Sequence, residues 1–148
     1  MTAPEATATA ETSGASLFEQ AIGRYQQGDP IAEVIADFIA ITQQEPRLSA
    51  GWTCLAWLQL LENQPQAALR SARTAVKLNP QDPQARINLS LAMLETNAKG
   101  VREHIELVQR LRVMAPELAT ELDESLADGL ARRPDWQALQ KVKAWLQG

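Results

Sequence analysis

Pro46 and Pro80 stand 34 residues apart, and the stretch Ser49–Asp82 reads as two helices facing each other across a tight turn. In its first half Trp52, Leu55, Ala56, Trp57, Leu60 and Leu61 recur at helical spacing, with no Gly or Pro between Trp52 and Pro65. Pro65 suits a first helical position, where the missing N–H would have no intrahelical partner anyway. The second half places Ala68, Ala72, Ala75 and Val76 on one face. Asn79-Pro80 stops it, because proline disfavours helix at the residue before it. Small side chains at Ala56, Ala68 and Ala75 let two backbones approach, and Trp52 and Leu55 fill the space that remains.

On these residues the hairpin resembles a tetratricopeptide repeat, a unit of about 34 residues. Trp52, Leu55, Ala56, Ala68, Ala75 and Pro80 occupy positions that the repeat prefers. Gln59 stands where the repeat usually has a tyrosine, so a ring that normally fills the gap between helices is missing. A second hairpin begins at Ser16, with Leu17, Phe18, Ala21, Ile22 and Tyr25 as its first apolar face. Gly28-Asp29-Pro30 makes its turn, with Asp29 as the expected N-cap. Ile31, Val34, Ile35, Phe38, Ile39 and Ile41 continue to Glu45-Pro46, with Val34 and Ile41 where the repeat usually has alanine. The third hairpin, Pro83–Pro116, opens on Asp82-Pro83, carries Leu89, Ala92 and Met93 as its inner stripe and turns at Asn97–Gly100. Val101, Ile105, Val108, Leu111 and Met114 line its second helix. Pro80 and Pro116 lie 36 residues apart, two more than the repeat.

Beyond Pro116 the repeat pattern ends but helix continues. Leu118, Leu122, Leu126 and Leu130 step by four, Arg132-Arg133-Pro134 breaks the chain, and Trp136, Leu139, Val142, Trp145 and Leu146 mark a last amphipathic helix. A solenoid must cover its terminal apolar face, which is the role expected of these two helices. The expected fold is therefore all-α: a right-handed solenoid of three hairpins (16–48, 49–82, 83–116) with capping helices at 117–131 and 135–147. Residues 1–15 offer almost nothing to bury and read as a disordered tail.

With 45% hydrophobic residues, 5% aromatic and a net charge of −4, the composition suits a soluble helical protein and not a nucleic-acid binder, which needs clustered Lys and Arg. No apolar run approaches the length of a membrane span, and no secretory leader pattern opens the chain. A single cysteine, Cys54, fits a reducing compartment, so the cytoplasm is expected. Enzyme chemistry finds little support. His104 is the only histidine and lies in a different hairpin from Cys54. Zinc needs about four ligands, and a Cys–His pair must sit within hydrogen-bond reach. No phosphate loop, nucleophile elbow or zinc-protease helix motif occurs. We expect no cofactor and no metal. His104 reads as a packing or surface residue, and Cys54 as a small hydrophobe at a helix contact.

The resemblance implies non-catalytic protein binding, by an adaptor, assembly factor or client chaperone. Small acidic three-repeat chaperones of secretion systems and assembly factors for membrane complexes look broadly similar. In such repeats the first helix of each hairpin lines the concave wall. The inward positions are then Glu19, Gln20, Gly23, Gln26 and Gln27, followed by Thr53, Trp57, Leu60 and Leu61, and by Ile87, Asn88, Leu91, Leu94 and Glu95. Two of these three walls are apolar where a solvated groove would be polar. The expected client is an apolar segment anchored on Trp57, buried by Leu60, Leu61, Ile87, Leu91 and Leu94, and held in register by Asn88 and Gln27. The same apolar area would equally suit C-terminal helices folded back onto it. The basic clamp that some of these repeats use for chaperone tails would fall at Glu19, Gly23, Cys54, Gln84 and Asn88, where no base stands.

On the outer face Arg70, Arg73 and Lys77 follow one helix at i, i+3 and i+7. Residues 49–116 carry 8 basic and 5 acidic side chains, whereas residues 1–48 carry 2 and 7. The alternative function is a structural subunit whose groove is self-occluded and which docks through this basic convex face. A merely solvated helix face would show the same charges.

Overall fold

The computed structural model describes residues 17–148, so the tail expected over 1–15 lies outside the described residues. The protein is all-α. Its helices are α1 (17–27), α2 (Ile31–Gln44), α3 (Ser49–Leu61), α4 (Pro65–Leu78), α5 (Pro83–Glu95), α6 (Val101–Met114), α7 (Pro116–Arg132) and α8 (Gln137–Gln147).

Local chemistry accounts for most helix boundaries. Pro65, Pro83 and Pro116 each open a helix, where a fixed φ is an advantage and a lost N–H costs nothing. The Asp82 carboxylate caps α5, accepting from the Gln84 N–H at 3.1 Å. Asp29 does not cap α2, whose N-cap residue is Pro30 with no side-chain bond. Its carboxylate is taken instead by Arg24, 2.9 Å from Nε. Arg24 also reaches Glu33 and Asp37, each at 2.8 Å, so one fork of donors pins three carboxylates across the α1–α2 turn.

Helices α3 and α5 are buried on nearly every side, including Leu55–Leu60 in α3 and Ile87–Met93 in α5. Their apolar residues are spread around the helix and must be covered on several sides, while the buried Asn88 and Ser90 of α5 are hydrogen-bonded within the fold. Helix α4 covers one side of α3 with Ala68, Ala72 and Ala75, all without exposure. The missing ring at Gln59 is replaced by a buried hydrogen bond, Ser71 Oγ to Gln59 Oε1 at 2.7 Å. Val34 and Ile41 are fully buried in a separate cluster formed by α1, α2 and α3. There Phe18 and Phe38 meet edge to face at 5.5 Å.

The remaining sides of α3 and α5 are covered by the last two helices. Helix α8 packs on α5 and α6, and α7 packs on α6 and α8. Leu122, Leu126, Trp136, Leu139 and Val142 join the same core as Trp57, Leu60, Ile87 and Leu91. Gly129 allows the closest approach. A Cβ there would stand 2.8 Å from both the Trp57 ring and Leu139. Three residues read as apolar-face members point outward instead, Met114 at 78% exposure, Trp145 at 43% and Ile39 at 42%. Met114 ends α6 and α7 opens two residues later at Pro116, so the turn carries it away from the core.

Candidate protein-binding surfaces

The concave wall is filled along the second and third hairpins, whereas the first hairpin's inward positions Glu19, Gln20, Gln26 and Gln27 are exposed. Of the residues expected to face a partner there, Leu60, Ile87, Asn88 and Leu91 have no exposure, and Trp57 retains 8%. Leu61 and Leu94 are half-buried against the same core, and Gln27 is exposed. The expectation of an open groove is corrected by the chain's own α7 and α8, whose leucines and Trp136 occupy the space. Asn88 spends its hydrogen bonds inside the fold, donating to the Thr53 carbonyl at 2.9 Å and accepting from Gln84 at 2.8 Å.

Two polar clusters hold these helices in place. Tyr25 donates to Asp128 and accepts from Trp57 Nε1 at 2.9 Å. The Arg132 guanidinium lies 3.8 Å from the centre of the Tyr25 ring, pairs with Asp128 at 3.0 Å and donates to the Tyr25 carbonyl at 3.1 Å. Burial, with the Asp128 hydrogen bond second, raises the Tyr25 phenol well above its ordinary value, so it remains a donor. In the second cluster Arg133 donates to the Leu60 carbonyl at 2.7 Å. That carbonyl belongs to the last turn of α3, where a cation is favourable. Arg133 also lies 4.5 Å from the Trp136 ring and 3.5 Å from Glu95, which accepts from Trp136 Nε1 at 2.9 Å. By spacing alone Arg132-Arg133-Pro134 reads only as a helix break. Two adjacent cations between two apolar stripes were the signal that the break is also a clasp.

The outer face is different. Arg70, Arg73 and Lys77 are exposed, α4 contains no acidic residue, and none of the three makes a side-chain ion pair or hydrogen bond among the described residues. Beside Arg70, between α2 and α4, runs a shallow groove of about 430 Å³ with Ile39, Trp52, Leu55, Ala67 and Thr74 on its walls and floor.

The two reactive residue types face inward. Arg86 Nη1 donates to His104 Nδ1 at 2.8 Å, so the neutral ring carries its proton on Nε2, 3.9 Å from Glu103. Burial, then the Arg86 charge, lowers the His104 pKa, while Glu103 opposes the shift. Burial pushes the Cys54 thiol up to about 12, with Asp82 adding to the effect. Among the described residues no three His, Cys, Asp or Glu side chains are grouped to hold a metal, and no helix is long and apolar enough to cross a membrane.

The geometry defines a tetratricopeptide-like α-solenoid whose last helices close its inner wall. No family model matches the sequence, and no curated protein does. Among solved structures the fold is similar to that of the Yersinia enterocolitica type III secretion translocator chaperone SycD, in an alternative dimer. The TM-score is 0.66 at 18% sequence identity, covering 90% of this chain and 93% of that one. At that identity the likeness speaks for the fold.

Proposed function

We propose that the hairpins are tetratricopeptide repeats of a non-catalytic, cytoplasmic protein-binding module that docks on its partner through the convex face of α4. The observation that carries this reading is a contrast between the two faces. The concave wall of the second and third hairpins is already occupied, Leu60, Ile87 and Leu91 having no exposure, while Arg70, Arg73 and Lys77 are exposed and unpaired among the described residues. The fold likeness to a translocator chaperone supports the general class of adaptor, assembly factor or client chaperone.

A second reading, an apolar client held against Trp57, Leu60, Leu61, Ile87, Leu91 and Leu94, with Gln27 and Asn88 alongside, is favoured by the chemistry of that wall. It accepts an amphipathic helix, since it holds α8. In this reading a client displaces α7 and α8. One retention experiment separates the two. Immobilised wild type and an Arg70→Glu/Arg73→Glu/Lys77→Glu variant are exposed to native extract at low and high salt. Convex docking predicts a partner lost in the variant and at high salt. A partner retained in both conditions by both proteins sinks that reading in favour of the wall.

A further inference from the structure

We propose that the partner segment is an acidic amphipathic helix, seated in the groove between α2 and α4 with its carboxylates on Arg70, Arg73 and Lys77. This rests on convex docking and adds the partner's chemistry.

Three observations converge. The first is charge. Helix α4 presents three cations and no anion, and none of the three is neutralised within the described chain. The α2 flank of the groove, Ile39, Thr42 and Gln43, carries no charge, and the acidic residues within α2, Glu33 and Asp37, are turned to Arg24 of α1. The surface is therefore complementary to negative charge on one flank only.

The second is apolar surface beside that charge. Ile39 is 42% exposed on the α2 side, Trp52 and Ala67 are half-buried, and all three line the groove with Arg70 and Thr74. The Trp52 indole N–H donates to the Pro46 carbonyl, so its ring offers a fixed apolar face and no free donor. A polyanion alone would leave this apolar surface wet.

The third is the state of the walls. Both are helices whose backbone groups bond internally, so an extended segment would find no backbone partners there. A helix brings its own hydrogen bonds and can lay one ridge into the groove. Arg70 and Lys77 are two turns apart, about 10 Å along α4. The matching partner carries acidic residues at i, i+3 or i+4, and i+7, flanked by a row of Leu or Ile.

The test uses the full chain and three labelled synthetic helical peptides of about 20 residues, long enough to hold helix. One carries Glu at i, i+4 and i+7 with an adjacent Leu row, the second has that row changed to Ser, and the third has Glu changed to Lys. A heparin oligosaccharide serves as a pure polyanion. Binding is read by fluorescence anisotropy for wild type, Arg70→Glu/Lys77→Glu and Ile39→Asp, each confirmed helical by circular dichroism. Both sites are exposed, so these chains are expected to fold. We expect the Glu/Leu peptide to bind at least about tenfold better than either analogue and than heparin, and to lose about tenfold on each variant, the size expected for two exposed ion pairs. If affinity falls in the charge variant but not in Ile39→Asp, and the Ser peptide binds as well, α4 remains a docking surface and the amphipathic partner is overturned. If heparin matches the peptide, the inference fails in favour of a simple polyanion. If no peptide binds, or binding ignores both variants, the groove is not the seat, and the retention experiment alone decides convex docking.

Discussion

Trp57 of the second hairpin and Trp136 at the start of the last helix lie with ring centroids 5.5 Å apart, their planes tilted by 47°. This pairing ties the concave wall to the segment that covers it. Trp136 has no exposure, and Trp57 also donates to Tyr25. The contact makes α8 part of the core.

Trp136→Ala is therefore expected to destabilise the protein by about 3–5 kcal/mol, as for other buried aromatic truncations. Trp145→Ala, at a position 43% exposed, should cost no more than about 1 kcal/mol, nearer a surface substitution. Urea unfolding followed by circular dichroism distinguishes the two, and equal midpoints would refute the burial of Trp136.

Gly129→Ala places a methyl group 2.8 Å from the Trp57 ring and Leu139. The flat indole is hemmed in by Trp136 and Tyr25, so α7 must move outward. A loss of about 1–3 kcal/mol is expected from such overpacking. A blue-to-red shift of tryptophan emission should accompany it, and an unchanged spectrum with full stability would show that α7 does not lie on Trp57.

Glu95 accepts from the Trp136 N–H and faces Arg133. Glu95→Ala strands a buried donor and leaves a half-buried cation unpaired, for a cost of about 1–3 kcal/mol. Glu95→Gln keeps an acceptor and should recover part of this. Thermal melts of the pair measure the difference.

The lowered pKa of His104 has a defined consequence. Above the ordinary histidine value of 6.5 both folded and unfolded rings are neutral and the full stability is present. Below it the unfolded chain takes up the proton first, so stability falls as pH drops towards the folded-state value. Protonation would also set two cations, His104 and Arg86, against each other. Melting temperatures at pH 7.5 and 5.5 should differ more for wild type than for His104→Gln, after the shared titration of carboxylates is subtracted.

With its thiol pushed up to about 12, Cys54 should be almost entirely protonated at pH 8. Reaction with an aromatic disulfide reagent should be slow in the native protein and fast in denaturant, because the thiolate is the nucleophile. Rapid native labelling would contradict the packing of Cys54 against α2.

Much of this architecture was legible in the sequence because helix termination is local chemistry. Pro65, Pro83 and Pro116 announce their helices, and alternating large and small residues announce close packing. Asp29 does not serve as the expected cap because a competitor for its carboxylate, Arg24, sits five residues away on another helix. Occupancy of the wall was illegible for a similar reason. Leu60, Ile87 and Leu91 have the same composition whether a partner or α8 covers them. Only the long-range geometry of Gly129, Arg133 and Trp136 decides between the two, and nothing in residue spacing reports a contact made across more than 70 residues. The outer stripe was visible as three spaced charges, but the groove beside it needed three helices brought together.

The bond between Tyr25 and Asp128 joins residues 103 positions apart. In a simple solenoid each unit touches only its neighbours, so the array can fray from either end and lose its units one at a time. Here the final helices are fastened to the first hairpin, and neither end can peel away without breaking the other's contacts. Unfolding should therefore be a single cooperative event, with folding slowed by the large loop that must close before the last contacts form.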